Sequence, residues 1–93
     1  MLENLRLAVH EAMLQLVEHG LVDYFRGNIS GFDRRRGLIV IRPRGVDHDS
    51  LTPDSYLVVS ARTGQVVEGL GMPATGVDAH LTLYRDLPDI RAI

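Results

Sequence analysis

Three short stretches of this chain carry residue types that bind anions. Gly27-Asn28 joins a glycine, which lets backbone amides approach a ligand closely, to a carboxamide that donates to a phosphate oxygen. Arg42-Pro43-Arg44-Gly45 sets a second such glycine beside Arg44, a cation whose planar fork fits a phosphate or carboxylate. Pro73-Ala74-Thr75-Gly76 offers a hydroxyl at Thr75. Each has a plainer reading. Gly-Asn is a frequent turn, and an arginine on a loop is usually solvated. The four histidines, His10, His19, His48 and His80, show no ligand spacing. A catalytic zinc needs about three protein ligands converging on one point, so none of the four is assigned to a metal. The absence of cysteine removes disulfides and thiolate metal sites.

The elements that must position these residues are legible from periodicity. A helix is expected over 3–19, with Leu5, Val9, Ala12, Met13 and Leu16 as its apolar stripe. Glu3, Arg6, His10, Glu11 and Glu18 then form its solvated face, His19 is exposed at its end, and Gly20 ends it in a left-handed conformation. A hairpin follows, 28–33 and 38–42 around Arg34-Arg35-Arg36-Gly37. Leu38-Ile39-Val40-Ile41 is apolar on both faces and reads as a central strand. Thr52 caps a short turn with Pro53 at its first position. A second hairpin joins 56–60 to 65–68 through Arg62-Thr63-Gly64, and Glu68 is read as an exposed strand-end carboxylate. A helix over 78–86, capped by Asp78 and carrying His80 in a packing or hydrogen-bonding role, ends ahead of Pro88. Residues 89–93 begin a further strand, whose unpaired edge favours self-association.

Ninety-three residues suffice for one small domain with a modest core. Hydrophobic content of 45% and charged content of 24% are ordinary for a globular chain. A net charge of −2 gives no bulk attraction to nucleic acid. No apolar run approaches membrane-spanning length, and the first residues lack an uninterrupted signal core.

The runs Gly27-Asn28-Ile29-Ser30, Arg42-Pro43-Arg44-Gly45-Val46-Asp47, Val66-Val67-Glu68-Gly69 and His80-Leu81-Thr82-Leu83-Tyr84-Arg85 resemble the opening of the class II aldolase/adducin family. Within it they look most like the L-ribulose-5-phosphate 4-epimerase branch. The resemblance runs from about Leu5 to Ile93. It implies the N-terminal portion of a class II aldolase-like α/β/α sandwich with a mainly antiparallel central sheet. It also implies that residues 1–93 form a single partial domain, ending before the family's metal-binding His-x-His pair.

By resemblance, Gly27, Asn28, Arg44, Gly45 and Thr75 converge on a substrate phosphate. Arg44 stands where the family has a small hydroxyl residue, and Ala74 and Thr75 stand where it has two serines. Gly76 takes the place of an acid that serves as metal ligand or general base, and a glycine does neither. The implied function is that of a sugar-phosphate epimerase or aldolase, with this chain alone inactive. The alternative is a non-catalytic, adducin-like interaction module. No catalytic residue and no cofactor is assigned within the chain; zinc or another divalent metal is implied for a full-length homologue. The implied partners are a phosphorylated sugar or other small anion and further copies of the chain, with no nucleic acid or membrane, in the cytoplasm.

Overall fold

The chain folds as a four-stranded antiparallel sheet with one helix on each face, seen in a computed structural model that describes residues 1–23 and 27–93. The order is α1 (Glu3–Glu18), β1 (Ser30–Asp33), β2 (Leu38–Ile41), a 3-10 turn (Pro53–Ser55), β3 (Leu57–Ser60), β4 (Val66–Glu68) and α2 (Val77–Asp86). Strand order in the sheet follows chain order, because each connection is a hairpin or a short excursion.

The apolar character of β2 on both faces has a direct cause. Ile39 and Ile41, with Leu57 and Val59 of β3, pack against Leu81 and Tyr84 of α2. The alternate residues Val40 and Val58 pack against Val9 and Met13 of α1, with Leu51 and Tyr56. Side chains alternate across a strand, so two covered faces require an unbroken apolar run. The three layers are the α/β/α sandwich expected from the sequence.

Helix α1 ends as anticipated. Gly20 has φ +66°, its N–H donates to Val17 O at 3.0 Å, and Leu21 N–H donates to Leu16 O at 2.9 Å. That pair of bonds is the Schellman closure. The short turn is also as anticipated: Thr52 N–H donates to Ser55 Oγ at 3.0 Å, with Pro53 in its first position.

Two assignments on α1 are corrected. Arg6 is buried, not solvated. Its Nε donates to Met1 O at 2.8 Å, one Nη donates to Tyr56 O, and the other meets Glu68 Oε1 at 2.9 Å. Glu68, at the end of β4 with a side chain 42% exposed, is in addition an ion-pair partner that ties β4 to α1. His10 is half-buried, with Nδ1 3.1 Å from the Tyr56 hydroxyl and the two rings in an edge-on contact. Burial pushes that hydroxyl up to about 12.

The strand expected over 89–93 forms only at its end. Ser30 N–H donates to Ile93 O at 2.9 Å, Ile93 N–H to Ser30 O at 3.1 Å and Phe32 N–H to Arg91 O at 2.8 Å. Residues 91–93 therefore lie along the edge of β1 that β2 leaves free.

Candidate functional site

The five residues singled out in the sequence are separated by up to 48 positions and reach one place through backbone pairing. Arg44 N–H donates to Met72 O at 2.8 Å, and Ala74 N–H donates to Arg42 O at 3.0 Å. These bonds frame an isolated bridge between Pro43 and Pro73. The bridge brings the loop after β2 against the loop before α2. Gly27-Asn28, at the entry to β1, forms the third side. Together Gly27, Asn28, Arg44, Gly45 and Thr75, with Arg42, Pro43 and Ala74, line one cavity of about 180 Å³. A pocket for a drug-sized ligand measures roughly 300–1,000 Å³, so this one suits a single small group.

Each wall has an identifiable local cause. Gly27 has φ +107°, and a Cβ there would sit 2.2 Å from Val22 Cγ1, so neither conformation nor space admits a side chain. Gly45 has φ +79° and open space around it. Arg44 is exposed, and among the described residues its guanidinium makes no hydrogen bond or ion pair. It is an uncommitted cation at the rim. Thr75 is exposed, whereas Ala74 is buried in the core beside it.

Arg42 is the residue that the sequence reading left out. It is 2% exposed. Its Nη1 donates to Gly27 O at 3.1 Å, and its Nη2 donates to Val46 O. One guanidinium thus ties two walls together from beneath. Burial lowers its pKa below the ordinary arginine value, opposed by the nearby Tyr56 and Asp47. The available signal was a cation placed directly after an all-apolar strand, where a charge needs a partner.

Gly76 is the N-cap of α2, with ordinary backbone angles (φ −80°, ψ 4°). Its requirement is spatial: a Cβ there would lie 2.4 Å from Asn28 Nδ2. The Asn28 carboxamide therefore fills the space beside residue 76. Asn28 Oδ1 is buried with no hydrogen-bond partner among the described residues. Asp78, expected as the cap, lies inside the first turn of α2 instead, where its charge still favours the helix dipole.

The described residues do not fit a metal. Among them no three His, Cys, Asp or Glu side chains gather into a group that could hold an ion. The position beside Asn28 offers no carboxylate, and the neighbouring carboxamide already fills its space. The cavity wall carries amide, hydroxyl and guanidinium groups, all of them hydrogen-bond donors.

His80 is buried behind the cavity, with Nδ1 2.6 Å from Ser30 Oγ, and burial lowers its pKa. The folded state thus resists a proton that the unfolded chain accepts near pH 6.5. The resulting contribution to stability is complete above that pH and falls as pH drops through the window below it. Urea unfolding at pH 7.5 and pH 5.0 should show wild type losing more stability on acidification than His80→Asn. Equal losses would contradict the assignment.

A sheet covered by a helix on each face, with three loops gathered around a cavity of amide, hydroxyl and guanidinium groups, defines a three-layer α/β domain. The family is shown by comparison. Residues 8–93 match the class II aldolase and adducin N-terminal domain, and the chain belongs to this family. Its structure is similar to L-fuculose 1-phosphate aldolase, at 31% identity and TM-score 0.87, covering 96% of this chain and 42% of that one. It is also similar to YgbL, a putative aldolase/epimerase/decarboxylase from Escherichia coli, at 27% identity and TM-score 0.85, covering 97% and 42%. A third is l-fuculose-1-phosphate aldolase from Thermus thermophilus, at 28% identity and TM-score 0.73, covering 95% and 43%. The chain spans less than half the length of each. Among the described residues no helix is long and apolar enough to cross a membrane.

Proposed function

We propose that this chain supplies the phosphate-binding part of a sugar-phosphate aldolase or epimerase of the class II aldolase family. The observation that carries the reading is the convergence of Gly27, Asn28, Arg44, Gly45 and Thr75 on one small polar cavity. Arg44 contributes charge, Thr75 a hydroxyl, and Gly27 and Gly45 close approach to backbone. Asn28, whose Oδ1 is buried with no hydrogen-bond partner among the described residues, adds its carboxamide to the same wall. The solved relatives, two of them named as L-fuculose 1-phosphate aldolases, support the substrate class. We take residues 1–93 as one partial domain, working in the cytoplasm as part of a homo-oligomer. The metal this family generally uses would be held by residues outside those described.

The test is amide shift mapping with inorganic phosphate and with a pentulose phosphate, in wild type and Arg44→Ala. Shifts should cluster on the cavity, with a dissociation constant on the order of 1 mM. Arg44→Ala should weaken binding about tenfold, the worth of a charged hydrogen bond. Shifts scattered over the surface, or unchanged in the variant, would overturn the reading. A second reading, a non-catalytic adducin-like module, is favoured by Gly76 and the carboxamide packed against it. It predicts that phosphate and sugar phosphate bind equally or not at all.

A further inference from the structure

A polar cluster stands behind the cavity, and none of its members lines it. Ser30, His80 and Tyr84 are 0%, 7% and 1% exposed. Ser30 Oγ lies 2.6 Å from His80 Nδ1 and 2.7 Å from the Tyr84 hydroxyl, which is 3.1 Å from Ser30 O. One proton order makes all three bonds at once. His80 Nδ1–H donates to Ser30 Oγ, Ser30 Oγ–H donates to the Tyr84 hydroxyl, and that hydroxyl donates to the Ser30 carbonyl. The same carbonyl also accepts from Ile93 N–H at 3.1 Å. Ser30 is thereby held by a strand, a helix and the segment that flanks β1.

We infer that Ser30, His80 and Tyr84 are positioning residues that lock the strand entry carrying Asn28 to the helix start carrying Thr75 and Gly76, and so set the spacing of the cavity walls. The inference rests on reading that cavity as an anion site. The geometry is short and direct. Ser30 lies two residues beyond Asn28 along the chain. On the other wall, His80 N–H donates to Gly76 O at 3.1 Å, one helical turn away. Gly76 and the Asn28 carboxamide already meet. Apolar side chains of similar size would fill the same volume, but they would tolerate sliding of α2 along β1. Directional bonds among buried groups do not, because a shift leaves each member unsatisfied in a medium where that is costly.

The test pairs phosphate calorimetry with NMR of the Asn28 side-chain amide and the Gly76 amide, in wild type, Ser30→Ala, His80→Ala, His80→Asn, Tyr84→Phe and Leu81→Ala. Ser30→Ala and His80→Ala should weaken phosphate about fivefold, the scale of a lost hydrogen bond, and move both resonances. His80→Asn keeps a donor near the Nδ1 position and should recover binding to within about twofold. Leu81→Ala removes core packing from the same helix and should lower the melting temperature without moving affinity or the Asn28 signal. If His80→Ala does not fold, Tyr84→Phe, which removes one oxygen, carries the same expectation at about threefold. The inference is overturned if the polar variants bind phosphate like wild type with Asn28 unmoved. It is equally overturned if Leu81→Ala weakens binding as much as they do. Should wild type take no phosphate, the anion reading falls, and the resonances of the free protein still decide whether the cluster positions Asn28.

Discussion

Arg42→Met will lower the stability of the chain by about 3 kcal/mol, the cost of stranding two carbonyls that a buried guanidinium now satisfies. Methionine keeps the apolar stem, so packing loss is small and the effect reports the bonds to Gly27 O and Val46 O. Part of the gain from those bonds offsets the cost of taking the guanidinium out of water, and it is that desolvation which lowers its pKa. The part-buried partners, however, lose their donor when the arginine goes, and that asymmetry decides the sign. For 93 residues the total stability is roughly 5–14 kcal/mol, so the loss is a large share of it. Urea unfolding monitored by circular dichroism measures it. The same substitution frees two walls of the cavity, and phosphate affinity should fall about tenfold. A midpoint unchanged from wild type would show that water replaces the guanidinium without penalty.

Gly76→Asp has the largest expected effect on binding and a modest one on stability. The atom that a Cβ would strike, 2.4 Å away, is the end of the Asn28 side chain, which can rotate. Its displacement into a poorer rotamer costs about 1 kcal/mol. The consequence for an anion is larger, because a carboxylate beside the cavity repels it and the Asn28 amide leaves its place. At an effective dielectric near 20, a carboxylate about 4 Å from the anion, with no metal to neutralise it, opposes it by roughly 4 kcal/mol, enough to abolish millimolar binding. Adding Asn28→Ala to Gly76→Asp should restore stability and leave phosphate binding absent. A Gly76→Asp chain that binds phosphate normally, with the Asn28 resonances in place, would show that the packed carboxamide is not what occupies this position.

The elements were legible because their causes are local. The helical stripe of α1, the glycine that closes it and the doubly apolar β2 each follow from a few neighbouring residues. What misled was charge. Arg6 falls on the buried row with Val9 and Met13, but a cation in that row reads as solvated unless its partner is known. The partner, Glu68, lies 62 residues away. His10 likewise finds Tyr56 across 46 residues. The cavity was legible in composition, through glycines and short polar groups, and through resemblance. Its assembly depends on pairing between distant loops, which no local pattern encodes, and the clamp beneath it was missed for the same reason.

The bridge between Pro43 and Pro73 admits one alignment of the two loops. Neither proline has an N–H, and the bonds are made by their neighbours Arg44 and Ala74. A slip by one residue in one direction would ask Pro73 for a hydrogen it does not carry. A slip in the other would put Thr75 into the buried place of Ala74 and withdraw its hydroxyl from the cavity. The register is thus held from both sides, and the chemistry at the cavity wall is protected by the hydrogen Pro73 lacks and by the burial of Ala74.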